Sequence, residues 1–109
     1  MFNLNGKKAL ITGASGGIGA TIAKALHQQG AVVVLSGTRR EALEKVAQEL
    51  KERVHILPCN LKNVEEVENL IPQAEAIMEQ VDILVNNAGI TRDNLLMRMK
   101  DDEFSEVID

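Results

Sequence analysis

The 109-residue sequence lacks several features that would assign it to common functional classes. Its single cysteine, Cys59, cannot form an internal disulfide, which favours a reducing, cytoplasmic setting. The longest uninterrupted apolar run, Ala31–Leu35, is too short to cross a bilayer, and the N-terminus has no secretory pattern. The net charge of −4 offers no basic surface. We therefore expect neither a nucleic-acid partner nor a membrane partner.

The composition that is present is that of an ordinary globular protein. Hydrophobic residues make up 45% of the chain, charged residues 26%, and there are only two prolines. A chain of this length suits one small domain with one real core. No linker, internal repeat or low-complexity run divides it. We therefore treat residues 1–109 as a single domain.

Apolar residues follow two alternating patterns along the chain. Four short segments rich in Val, Ile and Leu are typical of strands buried on both faces, namely Lys8–Thr12, Ala31–Leu35, Val54–Leu57 and Asp82–Asn86. Helical spacing of apolar residues separates them, with Pro72 expected to bend or restart the third helix. This alternation predicts an α/β fold: a Rossmann-type, doubly wound parallel sheet of about four strands in order 3-2-1-4, with helices on both faces.

The C-terminal segment predicts the start of another helix. Asp101 could cap it, and Phe104, Val107 and Ile108 have helical spacing, but the sequence stops after about two turns without a closing Gly, Lys or Arg. The pattern indicates a truncated chain. An exposed apolar stripe and a fourth strand without its outer neighbour would both favour self-association, so we expect a homo-oligomer.

The stretch "ITGASGGIG" places four glycines within residues 13–19, between the first strand and the first helix. A helix N-terminus presents unpaired N–H groups and partial positive charge, and glycines let an anion approach them. The spacing Gly13-x-x-x-Gly17-x-Gly19 differs from the G-x-G-x-x-G fingerprint and lacks the Gly-Lys-Ser/Thr ending of ATP-type loops. It predicts an anion site, and a tight turn without a ligand is the alternative.

Two motifs in this order resemble the short-chain dehydrogenase/reductase family: "TGASGGIG" at residues 12–19 and "NNAG" at residues 86–89. The tail "NNAGITRDNLLMRMKDDEF" is similar to that of its bacterial members that reduce 3-oxoacyl groups on acyl carrier protein in fatty-acid synthesis. The resemblance starts at about Leu4 and covers only the N-terminal half of the family's length. It implies a nicotinamide dinucleotide as cofactor and, in a full-length member, an acyl-carrier-protein-linked substrate.

The resemblance also implies roles for individual positions. The residues expected to border the pyrophosphate and ribose are Gly13, Ser15, Gly16, Gly17, Ile18 and Gly19. Asn60 and Leu61 match the pair beside the adenine. Asn86, Ala88 and Gly89 match the element that packs behind the nucleotide and steadies the sheet. For Asn87 and Ala88, bracing the fold is an equally good interpretation.

The choice of cofactor depends on the residues after the second strand. An acid there would bind the ribose 2′-OH of NAD, whereas a basic residue would meet the 2′-phosphate of NADP. Ser36, Gly37 and Thr38 occupy that corner, followed by Arg39 and Arg40. Two guanidiniums and no carboxylate favour NADP(H) over NAD(H), with Arg39 preferred as the contact. A solvated helix start is the alternative interpretation of the arginine pair.

The sequence has no counterpart of the residue that the family uses as its general acid/base. The family uses a tyrosine as general acid/base beside a lysine and a serine, and this chain contains no tyrosine. His27 and His55 are isolated from other potential metal ligands, so no metal site is expected. Three interpretations remain: the cofactor-binding half of a reductase, a stand-alone nucleotide-binding module, and a scaffold, engineered for instance, that binds nothing. We expect no catalysis by the 109-residue chain alone.

Overall fold

The computed structural model describes residues 3–60, 62–87 and the backbone of 106–108. Strands and helices alternate along the chain. The strands are β1 (Lys8–Thr12), β2 (Val32–Leu35), β3 (Val54–Ile56), β4 (Ile83–Asn86) and β5 (Glu106–Ile108). The helices are α1 (Gly17–Gln28), α2 (Arg40–Leu50) and α3 (Val64–Met78).

All strands of the sheet are parallel, in the order β3-β2-β1-β4-β5. β1 lies at the centre, where Ile11 is in register with Leu35 of β2 and with Val85 of β4. The predicted order 3-2-1-4 is confirmed. β2 and β3 lie on one side of β1, whereas β4 and β5 lie on the other side, so the order of the strands reverses between β1 and β4. In open α/β sheets, ligands bind beyond the carboxyl ends of the strands at such a point.

Two apolar layers hold the helices on the two faces of the sheet. On one face Leu10, Val34 and Leu84 pack with the buried side of α3. On the other face Ile11 and Val33 pack with residues of α1 and α2. Because successive strand residues point to opposite faces, strands covered on both sides are apolar throughout. This explains the unbroken Val, Ile and Leu runs of the sequence.

The C-terminal end corrects one sequence prediction. Glu106–Ile108 form β5, which pairs in parallel with β4, so Val107 and Ile108 belong to a strand and not to the expected helix. A two-turn helix is costly to nucleate, whereas a strand at this place completes the hydrogen-bonded ladder of β4. Phe104 and Asp101 lie outside the described residues. The β4 edge that suggested self-association is therefore covered.

α3 shows how local signals and packing combine. Its N-cap Asn63 accepts a hydrogen bond from the backbone N–H of Glu66. The helix continues through Pro72, so a restart there is not observed. Its buried residues Val67, Leu70 and Ala74 follow one helical face. Among the described helices, none has the length and apolar character needed to span a bilayer.

Candidate functional site

The glycine turn joins the carboxyl end of β1 to the N-terminus of α1. Gly13 adopts φ +66°, a left-handed conformation that glycine tolerates best. The N–H of Gly16 donates to the carbonyl oxygen of Gly13 at 3.2 Å, which closes the turn. Gly16 is then the N-cap of α1, and its own carbonyl accepts the first helical bond, from Ala20. The turn therefore delivers the helix start to the edge of the sheet where the strands end.

The N-terminus of α1 has neither a side-chain cap nor an acidic residue in its own first turn. Gly16, the N-cap residue, has no side chain with which to cap the helix. A Cβ on Gly17 would meet nothing beyond its own helix within 4 Å, so the side-chain position of Gly17 at the start of α1 is open. The neighbouring Ile18 is 71% exposed, which is unusual for isoleucine. An uncapped helix N-terminus beside an exposed apolar side chain fits a ligand that carries both an anionic and an apolar part.

Gly19 has a different role from Gly17. A Cβ on Gly19 would overlap the carbonyl oxygen of Gly13 and lie 2.8 Å from its carbonyl carbon. Gly19 is buried, whereas Gly17 is exposed. Gly19 is thus required for the close approach of α1 to the turn. The sequence prediction placed both glycines next to the pyrophosphate; the structure shows packing against protein at Gly19 and open space at Gly17.

The corner after β2 lies against the glycine turn. The N–H of Ala14 donates to the carbonyl of Ser36 at 2.9 Å, which joins the two loops. The guanidinium of Arg39 donates to the carbonyl oxygen of Ser15 at 2.9 Å. Arg39 also begins α2 as its N-cap residue. The side chain favoured as a phosphate contact is therefore held at the edge of the glycine turn.

Arg40 faces a different set of groups. Its guanidinium lies 3.4 Å from the carboxylate of Glu44, one helical turn along α2, and both side chains are largely exposed. A cavity of about 350 Å³ is lined by both arginines with Glu41 and Ala42. Between the end of β2 at Leu35 and Arg39, no residue carries a carboxylate. The Arg39 guanidinium thus contacts the glycine turn, and Arg40 and Glu41 line the cavity beside it.

The loop after β3 is tied to this corner. The N–H of Cys59 donates to the carbonyl of Gly37 at 2.9 Å. The N–H of Asn60 donates to the carboxylate of Glu66 at 2.9 Å, and the side-chain oxygen of Asn60 accepts from the N–H of Lys62 at 3.0 Å. Sequence reasoning missed Glu66, although Asn63-x-x-Glu66 is a spacing typical of helix-capping pairs. Leu61, expected beside the adenine with Asn60, lies outside the described residues.

The "NNAG" element begins at the end of β4, directly beside β1. Thr12 donates its hydroxyl to the carbonyl of Val85 at 3.2 Å, and the buried Asn86 is in register with Thr12. The side-chain amide of Asn87 donates to the carbonyl of Gly13 at 3.4 Å. Asn87 therefore braces the glycine turn, as one of its two interpretations held. Ala88 and Gly89 lie outside the described residues.

The cysteine and histidine side chains of the described residues do not add a reactive group to this site. Burial, and secondarily the Glu66 carboxylate, raise the pKa of the Cys59 thiol. A ring nitrogen of His27 lies 2.6 Å from the carbonyl oxygen of Glu52. His55 is exposed. Within residues 3–60 and 62–87, no group of His, Cys, Asp or Glu side chains has the arrangement of a metal site.

Comparison with known proteins gives a family match over most of the chain. The family model described as short chain dehydrogenase matches residues 7–109. The chain is 58% identical to nodulation protein G of Rhizobium sp. (strain N33). It is 50% identical to a 3-oxoacyl-(acyl-carrier-protein) reductase of Rickettsia bellii. Both alignments cover all of this chain but only 44% of the relative, so the chain spans less than half the length of these relatives.

Solved structures give a similar result. A 3-ketoacyl-(acyl-carrier-protein) reductase from Brucella melitensis, complexed with NADH, superimposes with a TM-score of 0.75 at 37% identity. The alignment covers 80% of this chain and 36% of that protein. A hydroxysteroid dehydrogenase from Escherichia coli superimposes with a TM-score of 0.73 at 36% identity, over 77% of this chain and 36% of that one.

Proposed function

Because the chain belongs to the short chain dehydrogenase family, we propose that it is the NADP(H)-binding half of an oxidoreductase similar to the 3-oxoacyl-(acyl-carrier-protein) reductases. The observation that carries the proposal is the open N-terminus of α1. Its N-cap makes no side-chain hydrogen bond, the side-chain position of Gly17 is open, and a guanidinium is held at the edge of the same turn. A helix start arranged in this way favours a phosphate group.

The described residues fit a dinucleotide in three places. The backbone of the turn from Gly13 to Gly19 holds the pyrophosphate, and Ile18 borders the pyrophosphate and the ribose next to it. Asn60, whose own backbone is fixed by Glu66, borders the adenine. When bound, the dinucleotide supplies a hydride. The chain's own contribution is to bind and orient it at the carboxyl edge of the sheet, where Asn86 and Asn87 support the turn from behind.

The preference for NADP(H) over NAD(H) rests on charge at the corner after β2. Arg39 lies beside the glycine turn, Arg40 lines the adjoining cavity together with Glu41, and none of the three residues between β2 and Arg39 carries a carboxylate that would repel a 2′-phosphate. A planar guanidinium suits a phosphate group because it can donate two parallel hydrogen bonds. The Brucella melitensis relative is complexed with NADH. Both cofactors therefore belong in the test.

The substrate side of the proposal comes from the relatives. The Rickettsia bellii relative is a 3-oxoacyl-(acyl-carrier-protein) reductase, and we assign the same substrate class, a 3-oxo thioester on acyl carrier protein, to the complete enzyme. Reduction adds hydride to the 3-keto carbon and a proton to its oxygen. The family's proton donor is a tyrosine, and this chain has none. The 109 residues thus supply cofactor binding without the proton donor.

A role like that of nodulation protein G is the second candidate. Two such proteins, from Rhizobium sp. (strain N33) and Rhizobium meliloti (strain 1021), are 58% and 55% identical to this chain. These identities exceed that of the Rickettsia bellii reductase. The two candidates share the dinucleotide-binding half and differ in what the complete protein acts on.

Two further properties complete the proposal. A cytoplasmic location agrees with a single cysteine, which is buried and free. The strand edge that could pair with a second copy of the chain is the outer edge of β3, at the end of the sheet opposite β5. Unpaired edge groups favour pairing with another chain. A homo-oligomer would give a mass above that of the 11.9 kDa chain in light scattering.

Calorimetric titration of the 109-residue chain with NADPH and with NADH tests the function. The proposal expects saturable binding of both, with NADPH bound several-fold more tightly. Equal affinities would remove the NADP(H) preference and leave a general dinucleotide site. Absence of heat and of any thermal shift with either cofactor, in a folded chain, would favour the scaffold that binds nothing.

A further inference from the structure

Position 37 is a glycine for reasons of space. A Cβ built on Gly37 would lie 2.7 Å from the hydroxyl oxygen of Ser15 and 3.2 Å from both the Cβ and the backbone nitrogen of Ser15. Gly37 is buried, and it is not among the glycines with positive φ. Gly37 therefore does not need the left-handed conformation that favours glycine, and it is the close contact with Ser15 that opposes a side chain at this position.

Hydrogen bonds hold both the glycine turn, which contains Ser15, and the corner after β2, which contains Gly37. The residue before Ser15 is held by the bond from the Ala14 N–H to the Ser36 carbonyl. Ser15 itself accepts the Arg39 guanidinium on its carbonyl. On the other side, the carbonyl of Gly37 accepts from the N–H of Cys59. The Ser15 hydroxyl can rotate away, but its Cβ is fixed by the backbone. Residues 15 and 37 therefore share one volume.

This shared volume has a consequence for cofactor choice. A carboxylate at the end of the second strand accepts hydrogen bonds from the ribose hydroxyls of NAD and repels the 2′-phosphate of NADP. In this fold the Cβ of such a residue at position 37 would press on Ser15, whose Cβ and backbone nitrogen lie 3.2 Å from it. The carboxylate would also attract the Arg39 guanidinium away from the Ser15 carbonyl, because the two charges would lie at the same corner.

We propose that Ser15 is a specificity-determining residue that acts through position 37: by excluding a side chain there, it keeps a carboxylate out of the ribose corner and leaves Arg39 to the 2′-phosphate. This rests on the proposed function, and it extends the role of Ser15 beyond bordering the pyrophosphate. It predicts that residues 15 and 37 cannot be exchanged independently. A change to NAD(H) preference needs a smaller residue at 15 together with an acid at 37.

The test is a double-mutant cycle on the 109-residue chain, with Ser15→Gly, Gly37→Asp and the double variant. Thermal unfolding without cofactor and the Kd values for NADPH and NADH are measured for each. Gly37→Asp alone is expected to lower Tm and to weaken both cofactors at least tenfold, about 1.4 kcal/mol. The double variant is expected to recover most of the Tm and to bind NADH at least tenfold better than Gly37→Asp, with NADPH still weak.

Thr38→Asp is the matched control, since it adds the same charge one residue further on, at an exposed position. Ser15→Gly should change the Tm and the NADH affinity of Thr38→Asp by the same amounts, within about twofold for the affinity, as it changes those of the wild-type chain, because no shared space couples positions 15 and 38. If Gly37→Asp does not fold, the cycle is repeated with Gly37→Ala, which adds only the Cβ. Recovery of its Tm by Ser15→Gly supports the shared volume, and its absence overturns the proposal.

The remaining outcomes are distinct. If Gly37→Asp alone binds NADH as tightly as the double variant, Ser15 does not control position 37 and the inference is wrong, while the proposed function stands. If the folded wild-type chain binds neither cofactor, the proposed function fails and the specificity role of Ser15 fails with it.

Discussion

Gly19 lies so close to the carbonyl group of Gly13 that a single added carbon on Gly19 would overlap the carbonyl oxygen. Two residues earlier, an added Cβ on Gly17 would meet no atom beyond its own helix within 4 Å. The two glycines belong to one motif and to one helix, and they differ in what stands opposite them. Substitutions at the two positions therefore distinguish a loss of ligand binding, expected at Gly17, from a loss of packing, expected at Gly19.

We expect Gly17→Val and Gly19→Val to fail in different ways. Gly17→Val fills the open side-chain position at the start of α1, so it should weaken NADPH at least tenfold, about 1.4 kcal/mol, with Tm unchanged or slightly raised. Gly19→Val forces α1 away from the turn, so it should lower stability by about 1–3 kcal/mol and lose binding as well. Thermal unfolding and calorimetry separate the two. Unchanged NADPH binding by a folded Gly17→Val protein would contradict the placement of the ligand, and an unchanged Tm in Gly19→Val would contradict the packing role of Gly19.

Arg39→Ala is expected to weaken NADPH more than NADH. A hydrogen bond to a charged group is worth roughly 1.5–3 kcal/mol, and NADH lacks the 2′-phosphate. The matched control is Arg40→Ala, because the Arg40 guanidinium lies beside the carboxylate of Glu44, whereas that of Arg39 donates to the carbonyl of Ser15. Its effect on NADPH should be smaller. Calorimetry of both variants with both cofactors checks this, and equal weakening of NADPH and NADH by Arg39→Ala would show that Arg39 only supports the glycine turn.

Cys59 should make the stability of the chain fall at alkaline pH. Its thiol pKa is raised by burial and by Glu66, so the folded chain holds this proton more tightly than the unfolded chain. The resulting stability is fully present below the unfolded pKa of about 8.5 and is lost as pH rises through the folded pKa. Urea unfolding of wild type and Cys59→Ala from neutral to alkaline pH measures it. A decline of the same size in Cys59→Ala would rule out the thiol as its source.

The 109-residue chain alone is expected not to reduce 3-oxoacyl thioesters. It can position a dinucleotide, but it contains no tyrosine to protonate the forming alkoxide, and general acid catalysis contributes about 10²–10⁴-fold. NADPH oxidation with an acetoacetyl thioester is the assay, and adding the family's C-terminal half in trans is the positive control. Steady turnover that scales with the concentration of the chain alone and disappears in Gly17→Val would overturn this expectation.

The sequence was sufficient for the parts of the fold that depend on local pattern. Apolar runs such as Lys8–Thr12 predicted the strands, and the alternation with helices predicted the order 3-2-1-4 that is confirmed. The strand Glu106–Ile108 could not be predicted in the same way. Its helical spacing is a local signal, while its conformation depends on pairing with β4, more than 20 residues away along the chain.

The candidate site was predicted by residue type and not by contact. The glycines and Arg39 were identified from the sequence, and the structure adds what each one touches. The contact between Ser15 and Gly37, and the bond from Asn60 to Glu66, join segments whose distance in space is set by the whole sheet. No motif in the sequence encodes such distances. The different environments of Gly17 and Gly19 follow from the same cause.

The most direct test of the binding site is a titration of the isotopically labelled 109-residue chain with NADPH, followed through its backbone amide resonances. We predict that the amides of Gly17, Ile18 and Gly19 shift most and saturate with the Kd found by calorimetry. Largest shifts in the groove between α2 and β3, which Glu44, Lys51 and His55 line, would place the ligand elsewhere and contradict the account.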